Sequence, residues 1–237
     1  MLFLLRRIRR KLMQKNKFTT YLLYAFGEIV LVVAGILIAL QINNWNEQRK
    51  LDKKEVKLLT ELVMNLKTNE DFFLTNMAVE EDRINAINQL LGLIENFVPT
   101  DSLDVYFGKA MYREQLSISS ASFDNLKNIG IDIIKDDSLK FQINQLFDVT
   151  YPMQKENTDL VSISIMNLQA DFSFSNPLFF NNYRNGDFSD KDAVAKYQMI
   201  LNAKRAWKSD VIKGHQRVLE ETRSTMNQIE DYLKKIR

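Results

Sequence analysis

Residues 21–42 read YLLYAFGEIVLVVAGILIALQI, an apolar run that contains one acidic side chain, Glu28. As an α-helix this run would extend about 33 Å, which is enough to cross a hydrocarbon core of about 30 Å. Its Leu, Ile, Val and Phe side chains favour insertion by about 4–8 kcal/mol, whereas Glu28 opposes insertion by roughly 2–3 kcal/mol. The run therefore predicts a transmembrane helix at residues 21–42.

A cleaved secretory signal peptide is the competing interpretation of this run. Signal peptides carry an apolar region of about 7–15 residues, followed by small residues in an A-x-A-like pattern. The run in this chain is longer and ends in ALQI at residues 39–42, which lacks that pattern. We therefore expect an uncleaved anchor that spans the membrane once.

Charge is distributed unevenly around the predicted span. The chain has a formal net charge of +2, but residues 1–42 carry seven basic residues against Glu28 alone. Five basic residues follow the span between Arg49 and Lys57. Because an excess of Lys and Arg stays on the cytoplasmic side, we expect a cytoplasmic N-terminus. Residues 43–237 would then form an extracytoplasmic domain, in the periplasm if the membrane is a bacterial inner membrane.

Residues 1–20 form a basic cytoplasmic segment that is amphipathic as a helix. Its leucines and isoleucine fall on one face and its arginines on the other, which suits a helix lying on an anionic leaflet. A solvated basic tail is the alternative. Tyr21 and Tyr24 at one end of the span and Trp45 at the other are placed as interfacial aromatic residues. The predicted membrane-interface residues are Arg6, Arg7, Arg9, Arg10, Lys11, Tyr21, Tyr24 and Trp45.

Glu28 shares one face of the predicted span with Leu31, Gly35 and Ala39. Gly35 and Ala39 form a small-xxx-small pair, which permits close approach of a second helix. This face predicts transmembrane packing, with a polar group that needs a partner in a second copy or another protein. Two alternatives are that Glu28 is protonated or reaches the headgroups, and that it belongs to a proton or ion pathway. A pathway would need further polar groups between Glu28 and Gln41, and the sequence has none.

Composition excludes several classes of site in the rest of the chain. The sequence has no cysteine and one histidine, which excludes disulfides, thiolate metal sites and sites that need two histidines. The near-neutral net charge does not indicate nucleic-acid binding. We find no catalytic constellation, metal-ligand spacing or phosphate-binding glycine loop, so we expect no cofactor and no enzymatic activity. Gly at 7 and Pro at 3 favour long helices over a turn-rich β fold.

The segment from Gly27 through the span to ALQINNWNE at residues 39–47 is a distinctive pattern. A second patch, SFDNLKNIG, occupies residues 122–130 and is followed by an Ile-rich segment and Asp137-Ser138-Leu139. Together they resemble an uncharacterised family of single-pass membrane proteins of Bacteroidota, a domain of unknown function. Ile129 stands where members tend to have a small polar residue. The resemblance implies an integral membrane protein with a helical extracytoplasmic part and supplies no activity.

Three stretches after the span repeat apolar residues at helical spacing, which predicts helices with one core-facing side. The first stretch widens its spacing between Met77 and Ile84, where Glu80, Glu81 and Asp82 intervene, and this predicts a change of register or a bend. The predicted core residues are Leu58, Leu62, Leu66, Phe73, Met77, Ile84, Ile87, Leu91 and Ile94, then Leu139, Ile143, Leu146, Phe147, Leu160, Ile165, Leu168 and Phe172, then Val194, Tyr197, Leu201, Trp207, Val211, Val218, Met226, Ile229 and Leu233.

Pro152 lies inside the second of these stretches and predicts a kink or a break. The expected fold is all-α: a transmembrane helix followed by an elongated antiparallel bundle of long helices, coiled-coil-like, with short helices at one end. We expect three long helices if the chain continues through Pro152. If it breaks there, four helices result and the C-terminus returns towards the membrane.

Two polar features of the sequence have structural and functional interpretations. The acidic run at residues 80–82 could attract cations, but we expect a solvated face. His215 falls on the apolar stripe between Val211 and Val218, where a hydrogen-bonded core histidine is expected over a metal ligand.

The sequence thus indicates a membrane-anchored helical protein of non-enzymatic role. Its expected partners are the lipid bilayer and either another protein or a second copy of the chain. The alternative is a helical bundle that senses a small molecule and has no output domain of its own. A cleft lined by Arg, Tyr or Trp would favour that alternative.

Overall fold

A computed structural model describes residues 18–96, 103–111, 116–176 and 189–236, with side chains from Tyr21 onwards. Regular structure within these ranges is entirely helical, which confirms the all-α prediction. The α-helices are α1 (Phe18–Glu95), α2 (Leu103–Met111), α3 (Ala121–Ile129), α4 (Asp137–Asn144), α5 (Tyr151–Ser175) and α6 (Lys191–Ile236), with a 3₁₀ turn at Ile131–Ile133 and a π-helical segment at Gln145–Thr150. Residues 1–54 and residues 55–237 form two separate units.

Aspartate side chains begin two of these helices. Asp136 precedes α4, and its Oδ1 accepts a hydrogen bond of 3.0 Å from the backbone N–H of Leu139. Asp190 precedes α6 and accepts from the N–H groups of Asp192 and Ala193 at 3.1 and 3.0 Å. These carboxylates satisfy N–H groups that have no partner within the first helical turn. Both helices therefore begin with an aspartate cap.

The chain passes through Pro152 without leaving helical geometry. The π-helical segment Gln145–Thr150 joins α4 to α5, and the N–H of Tyr151 bonds to the carbonyl of Leu146, five residues earlier. Proline has no N–H and its ring crowds the preceding turn, so an α-helix loses a hydrogen bond there. The π-helical segment, whose turn is wider than an α-helical turn, lies next to the position where this hydrogen bond is lost. Of the two expectations, the continuous helix is the one observed.

Two hydrophobic clusters lie along the unit formed by residues 55–237. One contains Leu59, Phe73, Phe147 and Ile229 and draws on α1, α3, α4, the π segment and α6. The other contains Ile87, Phe107, Phe172 and Tyr197 and draws on α1, α2, α5 and α6. The short helices α2 and α3 therefore pack in different clusters, whereas the sequence placed the short helices together at one end.

The buried face of α1 keeps one register from the start of this unit to the end of the helix. Its buried residues alternate at intervals of three and four, the repeat of a coiled-coil seam. The predicted change of register at the acidic run is wrong, because polar residues occupy the seam positions there. The seam consists of Glu55, Leu59, Leu62, Leu66, Asn69, Phe73, Asn76, Glu80, Arg83, Ile87, Leu90 and Ile94.

Side-chain pairs show that α6 runs antiparallel to both α1 and α5. Partners on α1 rise in number as those on α6 fall: Glu55 with Tyr232, Glu70 with Arg223, Glu80 with Lys208, and Asn88 with Arg205. On α5 and the π segment, Thr150 bonds to Glu221 and Gln154 contacts His215. The last turns of α6 thus lie beside Glu55, the first residue of this unit.

Candidate functional site

Among the described residues, six buried polar side chains of α1 and α6 lie between the two hydrophobic clusters and form what we term the polar layer. They occupy seam positions of α1 and the facing positions of α6, which repeat at the same intervals of three and four. Helical spacing therefore places the three residues of each helix on one face, and the packing of α1 against α6 brings the two sets together. The polar layer consists of Asn76, Glu80 and Arg83 from α1 and Lys204, Lys208 and His215 from α6.

Glu80 is the only carboxylate in the polar layer and is shared by two cations. Its Oε2 lies 2.6 Å from Nζ of Lys208, and its Oε1 pairs with the guanidinium of Arg83 one helical turn away. The Glu80 and Lys208 side chains are 2% and 1% exposed. A charge this deeply buried is stable only when paired and hydrogen bonded. Lys208 also lies over the Trp207 ring, with Nζ 5.0 Å from its centroid.

His215 is held as a neutral core residue, which confirms its predicted core role. Its Nε2 lies 3.0 Å from Oδ1 of Asn76, and its Nδ1 lies 3.2 Å from Nε2 of Gln154. These partners assign the proton to Nε2, which donates to Asn76, and leave Nδ1 to accept from Gln154. Burial lowers the pKa of His215 from 6.5 to about 4, and the Glu80 carboxylate partly opposes that shift.

Gly214 makes room for the Gln154 side chain that holds His215. A Cβ atom at position 214 would lie 2.5 Å from Nε2 and 2.7 Å from Oε1 of Gln154. Such distances are shorter than real contacts allow, so a larger residue would push the amide away. A helix-interior glycine costs about 1 kcal/mol relative to alanine. Here the glycine permits close approach of a side chain from α5.

Lys204 is the cation of the polar layer that has no carboxylate partner among the described residues. Its Nζ donates to the backbone carbonyl of Ala110 at 3.0 Å and lies 3.9 Å from Sδ of Met111. The residue is 6% exposed. Burial and the nearby charge of Lys208 lower the pKa of Lys204 from 10.5 to about 8. The ammonium group therefore remains mostly charged at neutral pH.

A cleft of about 330 Å³ opens beside Lys204, between α5 and α6. Among the described residues, α5 supplies most of the lining and the end of α2 closes one side. The lining residues are Met111, Ser162, Ile165, Met166, Gln169, Ala170, Ser173, Lys204 and Trp207. Apolar wall, small hydroxyls and one cation are the composition of a small-molecule pocket.

Two of the predicted core residues of α5, Leu160 and Leu168, are exposed, so that part of the predicted core is wrong. The buried face of α5 instead carries Thr158, Ser162 and Phe172. Its exposed residues include a mainly apolar row at alternating intervals of three and four, with one glutamate and one asparagine, which we term the outer stripe. The outer stripe consists of Met153, Glu156, Leu160, Ile163, Asn167, Ala170 and Phe174, and all seven residues are exposed.

The predicted membrane residues divide between described and undescribed parts of the chain. Arg6, Arg7, Arg9, Arg10 and Lys11 lie outside the described residues. Helix α1 contains an 18-residue window of mean hydropathy 2.4, none of it buried in the structure, so α1 is long and apolar enough to cross a membrane. The predicted packing residues Glu28, Leu31, Gly35 and Ala39 are all exposed on α1, Trp45 is exposed, and Tyr21 and Tyr24 are half-buried.

The structure corrects the prediction for the acidic run. Glu80 is buried in the polar layer rather than solvated, whereas Glu81 and Asp82 are exposed. Asp82 pairs with Lys109 at 2.8 Å. Sequence reasoning also missed Arg83, Lys204 and Lys208. The intervals of three and four would have placed all of them on the seam if polar residues had been counted.

Comparison with known proteins yields one match. A model of a family of unknown function (DUF6090) matches residues 28–183. No curated protein and no solved structure matches the chain.

Proposed function

This chain belongs to DUF6090, a family of unknown function, and we propose that it is a membrane-anchored, non-enzymatic assembly protein. In this proposal α1 crosses the membrane once, and the helices of residues 55–237 form a bundle that binds a second copy of the chain. The outer stripe of α5 is the observation that supports the proposal.

The membrane assignment rests on the exposed apolar window of α1 and on its flanking charges. Exposed side chains such as Leu31, Ile38 and Ile42 would meet lipid tails favourably and water unfavourably. The greater number of basic residues before the span favours a cytoplasmic N-terminus. We therefore propose a bacterial inner membrane, with residues 43–237 in the periplasm.

The outer stripe has the geometry of a helix-pairing seam. Its members alternate at intervals of three and four over residues 153–174, which is the repeat that keeps a seam facing a partner helix. Leu160 is 58% and Phe174 84% exposed, although such side chains gain about 1.5–3 kcal/mol each on full burial. Contiguous exposed apolar side chains of this kind are typical of a protein–protein interaction surface.

We propose a second copy of this chain as the occupant of the outer stripe. Asn167 stands at the seam position where a buried asparagine fixes the register of two parallel, like helices. Single-pass anchors hold copies in one orientation in one membrane, which favours parallel pairing and raises their effective concentration. Gly35 and Ala39 offer a second contact between two copies, within the span.

Single-cysteine crosslinking tests this proposal, since the native chain has no cysteine to interfere. We expect Ile163→Cys, in native membranes under mild oxidation, to give a disulfide-linked dimer of twice the chain mass. Glu220→Cys, which lies exposed on α6, is the matched control and should remain monomeric.

Equal crosslinking at the two positions would show random collision and overturn the proposal. If the Ile163→Cys chain forms no homodimer but crosslinks to a different protein, that protein is the partner in place of a second copy.

A second candidate function is small-molecule binding. The cleft beside Lys204 favours it, because Trp207 lines that cleft.

A further inference from the structure

We propose that the cleft between α5 and α6 binds a small amphipathic carboxylate, with the carboxylate at Lys204 and the apolar part against Ile165 and Met166. This inference goes beyond self-association through the outer stripe and does not require it. It assigns a ligand class to the cleft.

Charge balance indicates an anion. Lys204 is buried in the polar layer and has no carboxylate partner among the described residues. Glu80 already accepts from Arg83 and Lys208. A buried ammonium bonded to a neutral carbonyl keeps an uncompensated charge, which is costly in a medium of low dielectric constant. An anion beside Lys204 would remove that cost.

The position of Lys204 at the cleft makes that anion reachable from solution. Nζ of Lys204 has three protons; one is donated to the carbonyl of Ala110 and one points to Sδ of Met111, which leaves one for a ligand. The residue lines the cleft together with Ser162 and Ser173. A ligand carboxylate entering the cleft would therefore meet a charged donor and small hydroxyl groups.

The remaining lining selects an amphipathic molecule over an inorganic anion. Ile165, Met166, Ala170 and Met111 form apolar wall on the same cleft. The cleft volume of about 330 Å³ lies at the lower end of the roughly 300–1,000 Å³ of small-molecule pockets. This size suits a short apolar body carrying one carboxylate, and burial of that body supplies affinity in proportion to its area.

Fluorescence of Trp207 can report on occupancy of the cleft. The chain has two tryptophans, so a Trp45→Phe background leaves Trp207 as the single reporter. The probe is phenylpropionate, added to the full chain in lipid nanodiscs. Phenylpropionamide is the matched neutral probe, and inorganic phosphate is the anion without an apolar body. We expect a saturable change in emission with phenylpropionate and no change at the same concentrations with the other two.

Lys204→Met tests the residue that carries the inference. Methionine retains the length of the side chain without its charge, so the fold is expected to persist, as circular dichroism would verify. We expect at least a tenfold weaker affinity for phenylpropionate. Lys213→Met removes an exposed lysine from the same helix and should leave the affinity unchanged.

Four results would overturn the proposal. Equal binding of the amide would show an apolar pocket without charge recognition. Equal binding of phosphate would show a general anion site. Unchanged affinity in a folded Lys204→Met variant, or the absence of saturable phenylpropionate binding up to millimolar concentration, would exclude the site.

Discussion

Nζ of Lys208 on α6 lies 2.6 Å from Oε2 of Glu80 on α1, with both side chains almost completely buried. The same two helices are also joined by hydrogen bonds from Arg223 to Glu70 and from Arg205 to Asn88. A shift of α6 by one turn would leave Glu80 or Lys208 buried without its partner. The pair therefore favours the observed antiparallel register of α1 and α6 over registers shifted by one turn.

Glu80→Gln should destabilise the protein strongly, because it removes the buried carboxylate that both Lys208 and Arg83 contact. We expect a loss of about 3–5 kcal/mol in the free energy of unfolding, measured by chemical denaturation of the purified chain. Glu81→Gln is the control, since the neighbouring side chain is exposed, and should change stability by less than about 0.5 kcal/mol. Similar losses in both variants would contradict the register role of the pair.

Part of this architecture follows directly from the sequence. Leu62, Phe73 and Ile229 recur at helical spacing and are buried as predicted, since apolar periodicity is a local property of the chain. The capping role of Asp136 is equally local. The continuous helix at Pro152 remained one of two expectations, because a π turn depends on packing around it as well as on the proline.

The polar layer and the outer stripe could not be predicted from apolar spacing. Glu80 and Lys208 are far apart in sequence, and their charges are compatible with burial only because each supplies the other's partner. Leu160 has the same spacing as a core residue but lies on the opposite face of α5. The sequence pattern identifies which apolar residues share a helix face. The neighbouring helices determine which of those faces is buried.

His215 should make stability depend on pH. Its pKa is lowered in the folded state from 6.5 to about 4, so the unfolded state binds more protons between these values. The contribution of the neutral His215 to the free energy of unfolding is fully present above about pH 6.5. It is lost as the pH falls towards 4, by up to about 3 kcal/mol. The measurement is the free energy of unfolding at pH 7 and pH 4.5 for the native chain and for His215→Gln.

The His215→Gln variant should lose less stability over this interval than the native chain, because it no longer has a neutral imidazole to protonate. Carboxylate titration contributes to both proteins and cancels in the comparison. Parallel pH profiles would show that His215 is charged, or accessible to water, in the folded protein.

Gly214 and Gln154 should be coupled in a double-mutant cycle. In the native background, Gly214→Ala gains up to about 1 kcal/mol of helix propensity but displaces Gln154, leaving Nδ1 of His215 without its donor. In a Gln154→Ala background the clash is absent, so the same substitution should stabilise the protein. We expect a coupling of about 1–2 kcal/mol from thermal or chemical unfolding of the four proteins. Additive effects would place the Gln154 amide away from Gly214.

Glu156→Leu should strengthen self-association if α5 pairs with a second copy. Glu156 lies in the outer stripe between Met153 and Leu160, and in a parallel pair the two Glu156 side chains would face each other. Removing this repulsion and adding apolar contact should lower the dissociation constant of the dimer about tenfold, a change of about 1.4 kcal/mol in association free energy.

The measurement is energy transfer between donor-labelled and acceptor-labelled chains titrated in lipid vesicles. Glu220→Leu on α6 is the control, because it adds an exposed leucine outside the stripe. A dimer weakened by Glu156→Leu would indicate a partner with a basic residue opposite position 156, and would exclude the like-helix pairing.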